Sequence, residues 1–98
     1  MVKISKPARE DLRQIYDYIA RDSLHYAREV VLTIIESIRT IEPFPLKGRI
    51  VPEIQDDTIR EIFVYSYRII YRIRSTVEVA AIIHAKRDFS EAAKDRIP

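Results

Sequence analysis

Arg68, Arg72 and Arg74 lie close together in a single eight-residue stretch, Tyr67-Arg68-Ile69-Ile70-Tyr71-Arg72-Ile73-Arg74. With a side-chain period of two, the three arginines and Ile70 share one face of a strand, and Tyr67, Ile69, Tyr71 and Ile73 the other. Guanidinium groups are permanently charged, planar forks suited to phosphate or carboxylate. Near them in sequence stand Arg49, Arg60, Arg87, Glu53, Glu61 and His84. Phosphodiester cleavage needs a base, an acid and donors for the charged transition state. Glu53 or Glu61 could serve as base, His84 as acid, and Arg49, Arg60 and Arg68 as phosphate clamps. Each has a plainer reading. Glu61 could pair across strands with an arginine, His84 could be a satisfied imidazole, and the arginine row could be a solvated sheet face.

Other chemistries lack their residues. The chain has no cysteine and only two histidines, His25 and His84, which are far apart in sequence, so neither disulfides nor a metal site is expected. No GxGxxG, Walker or GxSxG pattern occurs, and no cofactor is expected. No apolar run approaches the ~18 residues of a membrane span, and no signal-peptide pattern opens the chain, so a cytoplasmic protein is expected. The formal charge of the 98 residues is only +2, but it is unevenly placed. Residues 1–42 carry seven cations and seven acids, whereas 58–87 carry six cations against two acids. That region attracts anionic partners through its local field.

The elements that must position these groups follow from the pattern. Val2 to Ser5 alternates as a short edge strand. A helix follows with Pro7 in its first turn, Glu10 and Asp11 complementing its dipole, and Ala8, Leu12, Ile15, Tyr16 and Ile19 on one face. Asp22-Ser23 stops it and caps a second helix carrying Ala27, Val30, Ile34 and Ile38, which Pro43 and Pro45 end. The two helices form an antiparallel hairpin over about 6–42. A loop over 43–58 holds Gly48, the only glycine. Gly48 is expected either to need a positive φ or to bend the chain so that Lys47 and Arg49 stand beside the sheet. Three strands, 59–65, 67–74 and 77–84, make an antiparallel meander over about 59–85. The last of them is apolar on both faces and so is expected to be central. Residues 86–98 are a tail or short helix over 90–97. The order is β-α-α-β-β-β, a single α+β domain over 1–98 with no repeat.

These residues resemble the ParE/RelE superfamily of toxins from type II toxin–antitoxin systems, including those known for plasmid stabilisation. The carriers are Ala8-x-x-Asp11-Leu12-x-x-Ile15-x-x-Tyr18-Ile19, Gly48-Arg49-x-Val51-Pro52-Glu53, Ile59-Arg60-Glu61, Tyr67-Arg68-Ile69-Ile70-Tyr71-Arg72, and Val79-x-x-Ile82-Ile83-His84-x-x-Arg87. The resemblance implies a helical hairpin on an antiparallel sheet. It also implies one of three activities: ParE-type inhibition of DNA gyrase, RelE-type cleavage of mRNA on the ribosome, or an inactive member. The hairpin, the Gly48–Glu53 loop and the His84-x-x-Arg87 ending are closer to ParE. Phe89 lacks the hydroxyl expected of a RelE-type site, and Asp88 would repel phosphate. A cognate antitoxin with an acidic, partly disordered C-terminal segment is implied as partner, with any DNA contact made through it. Its expected contact surface, or the target's, is Arg49, Arg60, Arg68, Arg72, Arg74, Phe63, Tyr65 and Arg87. If Arg68 holds phosphate, Arg68→Ala is expected to abolish RNA cleavage and leave the fold intact.

Overall fold

The computed structural model describes residues 2–93 and 95–97. Strand β1 (Lys3–Ile4) leads into helix α1 (Lys6–Ala20), whose N-terminus is capped by Ser5 Oγ accepting from the Ala8 amide at 3.2 Å. The expected acids do not serve the dipole. Glu10 lies beyond the first turn and pairs with Arg13, and Asp11 is held elsewhere. Ser23 caps helix α2 (Leu24–Arg39) by accepting from the Tyr26 amide at 3.0 Å. The helix ends before its prolines. Two turns follow, in which Ile41 and Phe44 donate to Ile38 and Ile41, and Ile41 is fully buried.

The expected loop contains more order than its sequence suggests. A 3-10 turn at Pro45–Lys47 leads into strand β2 (Arg49–Ile50). Strands β3 (Ile59–Val64), β4 (Tyr67–Ile73) and β5 (Val77–His84) form the meander, and helix α3 (Phe89–Ala92) follows. Helix α3 is shorter than the helix expected over 90–97, and the tail's Lys94 and Pro98 lie outside the described residues.

The sheet order is β1-β5-β4-β3-β2. It is mixed rather than antiparallel, because β1 runs parallel to β5, with Ile4 opposite Val79. The helical hairpin supplies the crossover that a parallel pair requires. Strand β5 is thus paired on both sides, as its apolar faces imply.

Two cores flank the sheet. Under the helices, Leu12, Val30, Ile34 and Ile38 meet Val64, Ile69, Tyr71, Val79 and Ile82. Tyr67, Ile69, Tyr71 and Ile73 all fall on this side, as their alternation requires. On the opposite face Ile70, Ala81, Ile83 and Ile59 are covered by Val51 and Ile54 from the loop and by Phe89, Ala92 and Ala93 from the tail.

A bulge makes that arrangement possible. Between Ile70 and Tyr71 the register with β5 shifts, and Ala80 has no partner on β4. Strict alternation would put Ala81 and Ile83 with Val79. With one residue inserted, Ile82 joins Val79 under the helices, and Ala81 and Ile83 turn to the second core. His84 follows Ile82 to the helix side, where it stands with Ile15 and Tyr18.

Arg49 does stand in the sheet, opposite Glu61, but Gly48 corrects the expectation of a positive φ. Its φ of −75° and ψ of 156° are ordinary extended values. A methyl group there would lie 2.5 Å from Tyr71 Oη and 2.6 Å from the Glu61 carbonyl oxygen, so close approach, not handedness, demands glycine. Tyr71 Oη accepts from the Gly48 amide at 2.9 Å and donates to the Pro45 carbonyl at 2.6 Å. One buried phenol thereby ties the loop to the sheet. Positive φ occurs instead at Gln55 (58°) further along the loop, at Tyr65 (53°) in the two-residue link between β3 and β4, and at Asp95 (67°) in the tail.

Candidate functional site

The chemistry-bearing residues do not form one site. The structure divides them between the two faces of the sheet and the far end of β4.

Arg68, Glu61, Glu53 and Arg49 do converge, on the face away from the helices. Arg68 Nε donates to Glu61 Oε1 at 2.6 Å, and its two terminal nitrogens grip Glu53 at 2.7 and 2.9 Å. Arg49 Nε donates to Glu61 Oε2 at 2.7 Å. The Glu61 side chain is wholly buried and that of Arg68 is 8% exposed, whereas Arg49 is more than half exposed. Strand register explains the meeting. Arg49 on β2 is directly opposite Glu61, and Arg68 on β4 lies two pairs along from it, on the same face. Phe89 of α3 closes the cluster, with the Arg68 guanidinium carbon 4.8 Å from its ring centre.

Two guanidiniums and two carboxylates balance here. The Arg68 bond holds the Glu53 carboxyl below its usual range, against an opposing push from burial. Glu53 and Glu61 in turn raise Arg68 far above any accessible pH, with Glu53 the larger influence. Both shifts favour the charged forms. The three strongest donors of Arg68 point at carboxylates of this chain, so it is no open phosphate clamp. The row of arginines is accordingly not a free cationic face. Removing the Arg68 side chain would leave Glu61 buried beside one exposed arginine, so Arg68→Ala weakens the fold instead of sparing it.

The remaining candidates lie apart. Arg60 braces the loop, donating to the Gly48 and Asp57 carbonyls at 3.0 Å. Arg72 faces Glu78 at 3.6 Å, and Arg74 is exposed beside it at the far end of β4. Phe63 and Tyr65 are about half exposed, with Arg49 5.0 Å over the Phe63 ring. His84 packs edge-on against Tyr67, 5.4 Å between ring centres, on the helix side of the sheet. Glu53 and His84 are thus on opposite faces and do not assemble as base and acid. Arg87 is exposed beyond the end of β5. Among the described residues no cluster of three His, Asp or Glu could hold a metal ion.

Two features were not apparent as a site in the sequence. Asp11 accepts from both terminal nitrogens of Arg96 at 2.8 Å and from the Ile82 amide at 2.9 Å, fastening the tail and α1 to the edge of β5. Beside it a cavity of about 540 Å³ opens between α1 and the His84 end of the sheet. Its wall includes Asp11, Ile15, Tyr18, Ile82, His84 and Arg87, all within the patterns that carry the family resemblance. The signal was therefore present, but split between the two ends of the chain.

Comparison with known proteins gives a consistent outcome. Residues 2–89 match the family described as the ParE toxin of type II toxin–antitoxin systems, parDE. Among solved structures, the chain is similar to one titled chromosomal ParDE TA system from P. aeruginosa. The TM-score is 0.71 at 20% identity, covering 85% of this chain and 92% of that one. At that identity the likeness speaks for the fold. No curated protein matches significantly. With the family match spanning both helices and every strand, this chain belongs to the ParE toxin family of type II toxin–antitoxin systems.

Proposed function

We propose that this toxin acts by binding DNA gyrase, and that a cognate antitoxin neutralises it. The observation carrying this reading is the closed state of the face bearing Arg68. Its guanidinium is engaged by Glu53 and Glu61, and Phe89 and Val51 help cover the strands around it. A ribonuclease site there would need free donors beside a base and an acid. Binding needs neither. Gyrase as target rests on the ParE affiliation and places the action in the cytoplasm.

The antitoxin reading is supported by charge and exposure at the other edge of the sheet. Phe63 and Tyr65 stand half exposed beyond the two residues that β2 covers, with the Arg49 guanidinium over the Phe63 ring. An acidic, partly apolar segment that folds on binding matches that surface. Contact with operator DNA is then the antitoxin's, not this chain's.

The test is direct. Purified chain freed of antitoxin inhibits gyrase supercoiling and accumulates cleaved DNA, and added antitoxin reverses both. Full supercoiling at excess chain, with mRNA cut in translating ribosomes, would overturn the proposal in favour of an endonuclease.

A further inference from the structure

The cavity between α1 and the end of β5 has a chemistry that the toxin reading does not use. Its volume, about 540 Å³, falls within the roughly 300–1,000 Å³ typical of small-molecule sites. Ile15 and Ile82 give it an apolar base, and the rings of Tyr18, Tyr67 and His84 stand around it. Aromatic walls of this kind suit a flat ring, which they hold by stacking or edge contact.

Its polar groups include donors beside the two-way hydroxyls of Tyr18 and Tyr67 and the amide of Gln14. The Lys86 amide donates to His84 Nδ1 at 3.1 Å, so that nitrogen carries no proton and Nε2–H is the ring's remaining donor. Among the described residues Arg87 forms no ion pair or side-chain hydrogen bond, which leaves its guanidinium for a ligand. Arg21, outside the cavity wall, lies 5.7 Å over the Tyr18 ring. The one acid in the wall, Asp11, has both oxygens bound by Arg96 and by the Ile82 amide, so its charge is compensated. An aromatic enclosure with one unclaimed guanidinium, an imidazole N–H and no free carboxylate favours an anion attached to a flat ring.

We infer that this cavity binds a small aromatic anion of mononucleotide size. The ring lies against Tyr18 and Tyr67, and the phosphate against Arg87 and His84 Nε2. None of these residues belongs to the buried arginine cluster. The bound molecule would bridge α1 to the end of β5, which Asp11 and Arg96 already join on one side.

The probe is adenosine monophosphate, titrated into the isotopically labelled full chain and followed by NMR. Expected are saturable shifts at Tyr18, Tyr67, His84 and Arg87. Adenosine and inorganic phosphate, which each lack half of the ligand, should bind at least about tenfold more weakly. Arg87→Gln changes an exposed side chain, leaves the circular dichroism spectrum unchanged, and weakens the nucleotide by roughly ten- to a hundredfold. A short oligonucleotide with a 5′-phosphate separates two sources of the same chemistry. Tighter binding than the monomer assigns the site to a strand end, and weaker binding assigns it to a free nucleotide. Absence of shifts at these residues, equal binding of adenosine, or unchanged affinity in Arg87→Gln would each overturn the inference.

Discussion

Arg68→Ala tests the central structural claim. The substitution removes three charge-assisted hydrogen bonds, one to buried Glu61 and two to Glu53. The Glu53 side chain is 42% exposed, so water replaces most of what it loses, and its share is at most about 1 kcal/mol. Glu61 is different. Its side chain is fully buried and would keep only Arg49, whose own side chain is 57% exposed. Breaking a buried pair by removing one partner costs about 3–5 kcal/mol. A domain of this size has a total stability of roughly 5–15 kcal/mol, so a large fraction is at stake. Thermal unfolding followed by circular dichroism should show a midpoint lowered by roughly 15–30 °C. The same measurement on Glu61→Gln and on the double variant completes a cycle. The double variant should be more stable than additivity allows, by at least about 1 kcal/mol, because neither charge is then stranded. A loss below about 1 kcal/mol in Arg68→Ala, or additive losses in the cycle, would refute the buried-network account. With the large loss of stability, any loss of toxicity in Arg68→Ala reflects unfolding, not a missing phosphate contact.

Further outcomes follow from the same geometry. Gly48→Ala should destabilise by about 1–3 kcal/mol in urea unfolding, since its methyl group meets Tyr71 Oη and a backbone oxygen although its dihedrals suit alanine. Tyr71→Phe should cost a similar amount, roughly 1–3 kcal/mol, by stranding the Gly48 amide and the Pro45 carbonyl. Glu53 unfolded titrates near its ordinary 4.5, and its folded value lies lower. Its contribution is therefore complete above that pH and is lost as pH falls through the folded value. Acid titration of Arg68→Met should lack that part of the stability loss. Asp11→Asn should speed hydrogen exchange at the Ile82 amide and around Ala92 and Ala93, because it loosens the Arg96 clasp.

Sequence periodicity fixes what local physics fixes. The stripes of both helices, the Ser23 cap and the helix-facing set on β4 are all set by neighbours within a turn or two. Strand β2 is different, because Arg49 and Ile50 acquire strand character only from their partners Glu61 and Arg60. The Ala80 bulge is equally silent, since it resolves a conflict between two cores that exist only after folding. The Tyr65 turn lacks the glycine, asparagine or aspartate that announces a left-handed residue. The pairing of Glu61 with an arginine was legible as its plainer reading; which arginines, and that Glu53 joins them, was not. A row of guanidiniums reads as an anion surface until the sheet brings Glu61 and Glu53 to Arg68, over separations of seven and fifteen residues.

The pairing of the first strand with the last bears on when this toxin comes into being. Ile4 waits for Val79, and Asp11 for Arg96, so the contacts that fasten the N-terminal half of α1 span most of the chain. As the polypeptide leaves the ribosome at about 5–20 residues per second, the helical hairpin emerges with its apolar stripe facing a sheet not yet made. Only once β5 is synthesised can Val79 and Ile82 complete the layer beneath Leu12 and Ile34. For most of its synthesis the nascent chain is therefore unarmed.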